Sequence, residues 1–491
     1  MKKKLLCFLL ILAMMIPSCA QGSAEESTTA SDETAAVSAE EITTALLETE
    51  DPAKVDDLPD DLNFGGKTFT MFTRQLSSFH YEINKAETIG EQLNDALYQR
   101  GRDVEERLGL VIDEIISPNN DVTAAKDAIF AGDDTYKMIT VRCVHAVEWA
   151  ASDLAYSWED VDHIDLTKDY WIDSINQNLS FAGKMYSGAG AYNLSSMDFT
   201  HVMLFNKKMI TDLALESPYE LVLNGQWTFD KLKEMGVAAY ADMNGDGAMT
   251  IEADRFGMLI GAKHTSPCFW IAAGQESIRK DENDIPQFTM ATDDSFIEVL
   301  TDIYELMWDG GFWYQTSTAS YTDEMIANFA TGNSLFMYST FYYIKQYRDM
   351  EADFGILPYP KYTEEQEQYY SRIEGCDLPL IPSCLSQAEA DMTGAFLEAM
   401  SSYSLENTVP VYYEVYLKTK MARDSDSANM LDLIFSNRVF DLGDIIWCPN
   451  VRDAFIFSMF QANNRNFTSM MKKSTNSVQK AIDSIMVGFT D

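Results

Sequence analysis

The sharpest local pattern in the chain is Asp242-Met243-Asn244-Gly245-Asp246-Gly247. Side-chain oxygens at its first, third and fifth positions, with glycine at the sixth, make the first half of an EF-hand-like loop. Such a loop offers a hard cation the oxygen ligands it needs. A complete loop carries a bidentate acid at its twelfth position. Here that position is Ala253, with Glu252 and Asp254 on either side. Both readings stay open: a structural Ca2+ held by Asp242, Asn244, Asp246, Glu252 and Asp254, or a polar Asx/Gly turn that needs no ion. In either case the loop serves structure, and no other cofactor is required.

Other chemistries have less to work with. His80, His145, His163, His201 and His264 are scattered, and none has H-E-x-x-H spacing. Zinc chemistry and a Cys–His nucleophile therefore lack support. Gly188-Ala189-Gly190 is a partial glycine-rich loop with no following Lys-Ser/Thr, and it fits hinge backbone better than a phosphate cradle. Beyond the N-terminal Cys7 and Cys19 lie Cys143, Cys268, Cys376, Cys384 and Cys448. An odd set without C-x-x-C is expected to be free thiols, mostly buried. Glycoside hydrolysis needs two carboxylates at a defined separation. With 77 acidic residues some pair always looks suitable, so their number argues nothing. The composition leans toward sugar recognition instead. Aromatics are 12% of the chain, with 24 Tyr and 8 Trp. Rings stack on the C–H faces of a sugar, while acids and amides hydrogen-bond its hydroxyls.

The chain around these residues is long and acidic. Its 491 residues suffice for more than one domain. A balance of 36 basic against 77 acidic residues gives −41, which repels nucleic acid and anionic membranes. Met1-Lys2-Lys3-Lys4 is a basic n-region, and Leu5 to Ile16 is an apolar run too short to span a bilayer. Ile16-Pro17-Ser18-Cys19 then resembles a bacterial lipobox, which makes residues 1–19 a lipoprotein signal peptide and Cys19 the lipidated mature N-terminus. Residues 20–61 are rich in Ser, Thr, Ala, Glu and Asp and lack aromatics. They read as a disordered acidic tether.

Ordered periodicity begins at Leu62. Thr68–Phe72 alternates as a strand, and Thr88-x-x-Glu91 has the form of a capping box opening a helix with Leu93, Ala96, Leu97, Val104 and Leu108 on one face. Val111–Ile116 is a strand, Val122–Ala131 a helix stopped at Gly132, and Tyr136–Cys143 a strand. Alternating strands and helices argue an α/β fold with a largely parallel sheet. In Gly225-Gln226-Trp227-Thr228-Phe229-Asp230, Trp227 is read as core and Thr228 as a helix cap. Further on, Leu335–Tyr338 and Phe354–Leu357 are short apolar strands. Between them Ser339 is an N-cap candidate for a helix over Phe341–Met350. Met392, Ala395, Phe396, Ala399, Met400 and Tyr403 share a helix face, as do Val478, Ala481, Ile482, Ile485 and Met486.

Several of these stretches resemble the family 1 extracellular solute-binding proteins of bacterial sugar importers. They are GEQLNDALYQRGRDVEERLGLVI after the first strand, Tyr170-Trp171-Ile172-Asp173 with Gly183-Lys184-Met185-Tyr186, Phe205-Asn206-Lys207-Lys208, the segment from Thr331 to Lys361, and YLKTKMARDSDSANMLDLIFSNRVFDLG. The resemblance implies a two-lobed, type II periplasmic-binding-protein-like α/β fold with a multi-crossing hinge. Lobe 1 would comprise residues 62–194 plus about 378–412, and lobe 2 residues 195–377 plus about 413–491. It implies a ligand cleft with an aromatic, Trp270 beside Phe269, just before a small-residue helix. Ser339, Phe341 and Tyr342 would open a helix onto the ligand. Trp171, Asp173, Tyr192 and Asn193 would lie at the first crossing, Glu374 at the second, and Trp447 would be a late aromatic. The implied protein is a monomer that is no enzyme. It is lipid-anchored on the extracellular face of the cell membrane, captures an oligosaccharide and delivers it to ABC transporter permease subunits. A secreted glycoside-acting enzyme, and a carbohydrate sensor or adhesin without transport, are the alternatives.

Overall fold

The computed structural model describes residues 56–75, 83–118, 121–314, 322–344, 347, 350, 353–422 and 424–490. The leader, Cys19 and most of the acidic tether lie outside these residues. The central strands are near-continuous apolar runs, as strands covered on both faces must be, whereas edge strand β2 alternates buried and exposed residues. Strands β1 (Lys67–Arg74), β2 (Leu110–Ser117), β3 (Met138–Arg142) and β8 (Asp377–Leu380) make one four-stranded sheet in the order β8-β3-β1-β2. In it β1 runs parallel to β2 and β3, and β8 is antiparallel to β3. Strands β4 (His201–Asn206), β5 (Phe256–Leu259), β6 (Ser334–Thr340) and β7 (Phe354–Leu357) make a second four-stranded sheet, ordered β7-β4-β6-β5. Here β6 is parallel to β5 and antiparallel to β4, which also pairs antiparallel with β7. Both sheets belong to one compact unit, Lys54–Asp491.

The chain visits the first sheet through residue 142, builds the second, and returns at Asp377. Helix Gln387–Tyr403 then covers the first sheet, and the residues of its expected face are buried. Phe396 stacks on Phe69 of β1 with ring centroids 4.0 Å apart. A capping box, Ser386 with Glu389, starts that helix, and Glu389 also pairs with Lys137 at 2.6 Å. In the second sheet Trp227 is fully buried against Phe336 of β6, and its Nε1 donates to Pro358 O at 3.1 Å. Thr228 caps helix Phe229–Ala239 as expected, accepting from Lys231 N. No helix among the described residues is long and apolar enough to cross a membrane.

Local expectations fail where a polar side chain has a better partner than its neighbour in sequence. Order begins before Leu62: the Asp56 carboxylate takes a bidentate grip on Arg107 at 2.9 and 3.0 Å, and Leu58 is buried beside it. Thr88 does not cap the first helix. That helix starts at Gln92, with Glu91 as its N-cap accepting from Asn94 N at 2.9 Å. Ser339 is a buried strand residue whose hydroxyl donates to Thr340 O, because β6 runs on to Thr340. The helix that follows is described only as Phe341–Ile344. The Asp242 loop, by contrast, forms the polar Asx/Gly turn that was one of its two readings, with side-chain oxygens that accept from the loop's own backbone. Asp242 takes Gly245 N and Gly247 N at 2.6 and 2.8 Å, Asn244 takes Asp246 N at 2.9 Å, and Asp246 takes Ala248 N at 2.8 Å. Buried Asp254 takes Met243 N and Thr250 N at 2.9 and 2.7 Å, whereas Glu252 faces solvent.

Candidate functional site

Parallel strands of an α/β fold deliver their C-terminal ends, and the N-termini of the helices that follow, to one edge. In this protein those edges meet at a cavity of about 460 Å³. From the first sheet come Arg74 and Arg142, the last residues of β1 and β3, and then His145 of helix Cys143–Ala150. From the second come Tyr338 of β6, Tyr343, and Lys263 and His264 in the first turn of helix Ala262–Ala272. The chain segment 374–376, where it returns to the first sheet, and residues 448–453 close the remaining sides.

Under the cavity lies a buried polar cluster centred on Arg372. Its Nε donates to Asp444 Oδ2 at 2.6 Å and its Nη2 to Asp444 Oδ1 at 3.0 Å, with both side chains fully buried. The third nitrogen, Nη1, lies 2.8 Å from His201 Nε2 and 3.1 Å from His264 Nδ1. Burial opposes the charge on Arg372, but the carboxylate of Asp444 outweighs it and keeps the guanidinium protonated. Burial, together with that guanidinium, holds His264 well below the ordinary imidazole range. A neutral ring is what an arginine N–H needs as acceptor. Ligand atoms of His201, His264 and Glu374 lie within 4.8 Å of one another, which is close enough for a metal. The Arg372 guanidinium donates to the His264 nitrogen that would bind one, and its charge repels a second cation. The cluster is therefore a hydrogen-bonded floor. Glu374, whose carboxylate lies 3.2 Å from His201 Nε2, carries it up to the cavity surface.

Of the residues proposed for the site from sequence, Glu374 lines this cavity, and most of the residues around it were not proposed. Trp270 corrects the aromatic-platform expectation. It lies inside its helix, fully buried against Phe296 at 5.6 Å, and Phe269 is also fully buried. Trp447 is buried edge-on to Phe181, and Phe341 stacks on Phe435. Trp171 donates through Nε1 to Glu398 at 3.1 Å in the core of the first sheet's side. Tyr192 is buried, Asn193 Oδ1 accepts from Ser195 N at 2.8 Å, and Asp173 is exposed at the start of a short helix. Tyr342 is half-buried and packs edge-on against Tyr343, and it is Tyr343 that lines the cavity. Burial pushes the Tyr343 hydroxyl up to about 12, so it stays protonated and can donate. Arg74, Arg142 and Lys263 carried no motif in the sequence. The available signal was positional: each is a basic residue at the end of an apolar strand or the start of the helix after it.

Two of these placements are open to direct test. Trp270→Ala should cost about 3–5 kcal/mol of stability, the usual price of emptying a large buried site. Urea unfolding measures it, and a loss below about 1 kcal/mol would contradict the packing role. His264 gives a pH test. Its folded-state pKa is depressed, so below the ordinary value of 6.5 the unfolded chain takes up a proton that the folded chain does not. Its contribution is therefore present above that pH and is lost as pH falls. Urea unfolding at about pH 7.5 and about pH 5.5 should show a smaller acid-side loss in His264→Gln than in the parent, and equal losses would contradict a neutral buried imidazole.

No protein-family model matches the chain, and no curated protein sequence does. Solved structures do. A cyclo/maltodextrin-binding protein complexed with maltotetraose superposes with a TM-score of 0.57 at 13% identity, over 85% of this chain and 98% of that one. An extracellular solute-binding protein from Staphylococcus aureus in complex with maltose gives 0.57 at 13%, over 87% and 99%. A family 1 extracellular solute-binding protein from Bifidobacterium longum subsp. infantis gives 0.52 at 15%, over 87% and 99%. The likeness runs through nearly the whole of each neighbour, and at these identities it is one of fold: the chain has the two-lobed α/β fold of the family 1 extracellular solute-binding proteins.

Proposed function

We propose that this protein captures a carbohydrate, most simply an oligosaccharide, in the cavity between its sheets and delivers it to an ABC transporter permease. The observation that carries this reading is the cavity itself. Its volume of about 460 Å³ suits a small saccharide, and it lies where the strand ends of both sheets converge. Phe199 and Tyr343 supply ring surface, and Glu374 with the Tyr343 hydroxyl supplies hydrogen-bonding groups. Neighbours of the same fold are described as binding proteins, several with maltose-type ligands, which supports binding rather than turnover. Closure of two α/β lobes around a solute needs no reacting group. The lipobox-like run ending at Cys19 supports anchoring to the extracellular face of the membrane, with the acidic segment after it as a spacer.

Two measurements test the reading. A panel of neutral and acidic oligosaccharides is titrated calorimetrically against the mature protein, and the mixtures are then analysed for cleavage. One saccharide should bind and be recovered intact. Tyr343→Ala should weaken it about tenfold, corresponding to the 1–2 kcal/mol of a lost ring contact. Binding by no saccharide would overturn the carbohydrate reading, and cleavage would make the protein an enzyme. For the anchor, Cys19→Ala should release the protein from the membrane fraction or block its processing. Unchanged retention with normal processing would remove the lipid from the account.

A further inference from the structure

The chain as a whole carries 36 basic against 77 acidic residues, yet the cavity lining reverses the ratio: Arg74, Arg142, Lys263 and Arg452 against Glu148, Glu374 and Asp453. Concentrating cations in a concave site of so acidic a protein opposes the field of the rest of the surface, and it needs a reason. Most of these charges already have partners. Arg74 Nε donates to Asp377 at 2.7 Å. Arg452 is shared between Asp444 at 3.1 Å and Asp453 at 2.7 Å, and Lys263 holds Asp453 at 3.1 Å. Glu374 sits against His201, and Glu148 is exposed one turn along its helix from His145.

Arg142 is the exception. It lines the cavity, is half-buried, and makes no side-chain hydrogen bond or ion pair with any described residue. It is also the N-cap residue of helix Cys143–Ala150, which has no side-chain cap. Beside it, His145 Nδ1 is buried without a hydrogen-bond partner. Across the cavity Lys263 opens helix Ala262–Ala272, which likewise has no side-chain cap. Two helix starts and an uncommitted guanidinium therefore line one space, and an unpaired imidazole nitrogen is buried beside it. An arginine fork with open donors fits a carboxylate in two parallel hydrogen bonds, and helix N-termini favour the same charge.

Resting on the carbohydrate reading above, we propose that the ligand is an acidic saccharide, a uronic-acid oligosaccharide, whose ring carboxylate is bound by Arg142. Phe199 and Tyr343 take the sugar face, and Glu374 takes hydroxyls. The mature protein is titrated calorimetrically with trigalacturonate and with maltotriose. Trigalacturonate should bind at least about tenfold tighter, one full charge-assisted contact. Arg142→Gln should abolish that preference while leaving the melting temperature near the parent's, since the side chain makes no hydrogen bond or ion pair with any described residue. Should that variant fold poorly, the parent alone decides: its affinity for trigalacturonate should fall at least about fivefold from about 0.05 to about 0.5 M NaCl, while maltotriose is unaffected. Equal or tighter binding of maltotriose, an unchanged preference in Arg142→Gln, or a salt-independent trigalacturonate affinity would overturn the acidic ligand and leave the carbohydrate reading intact. Binding by neither saccharide, nor by any other in the panel, would overturn both.

Discussion

The buried ion pair between Arg372 and Asp444 is the interaction on which the cavity between the two sheets depends. Both side chains are fully buried, so each charge would be very costly alone. Arg372 lies just before the return crossing at 374–376, and Asp444 lies in the C-terminal segment that also supplies Arg452 and Asp453. The pair thus fixes two distant stretches of chain against one another beneath the cavity. What remains of the Arg372 guanidinium reaches His201 of β4 and His264 of the helix after β5, which ties in the second sheet. Such a network is worth its desolvation only if every member is satisfied. Here the neutral His264 accepts, the carboxylate takes two donors, and Arg452 shares it.

The same arrangement explains why the cavity can be polar in a protein held together by apolar strands. Most strand residues are buried under helices, and the strand ends and helix starts are what line the cavity. Cys143 and Cys376 show how closely the two margins are joined. They lie opposite one another just beyond the paired ends of β3 and β8, with Cys143 N donating to Cys376 O at 3.0 Å, and a hydrogen bond from the Cys376 thiol draws the Cys143 thiol down. Both remain free thiols. The position Gly375 occupies between them and Glu374 has φ of 153°, a backbone conformation that a side chain would strain.

Periodicity revealed the scaffold well. Phe354–Leu357 is a strand with the bounds read from its apolar run, and the face of Gln387–Tyr403 is buried residue by residue. These are cases where burial alone decides, and burial is what hydrophobic spacing encodes. The site was less legible for a physical reason. An aromatic at an element end reads the same whether it stacks on a ligand or fills a core, and Trp270, Trp447 and Phe341 fill the core. Ser339 and Thr88 looked like caps because short polar side chains before apolar runs usually are. In each case the backbone went elsewhere: β6 continued past Ser339, and Glu91 reached Asn94 N instead. Glu374 was found through the crossing it sits on. Arg142 and Lys263 became visible only once strand ends were brought together in space.

The central claim is that the space bounded by Phe199, Tyr343, Glu374 and the ends of β1 and β3 is the solute site. It is tested most directly by a crystal structure of the mature protein grown with the tightest-binding saccharide from the titration panel. The account predicts sugar density in that cavity, with a ring against Tyr343 or Phe199 and a hydroxyl within hydrogen-bond distance of Glu374. Sugar bound elsewhere on the protein, with this cavity holding only water, would contradict it.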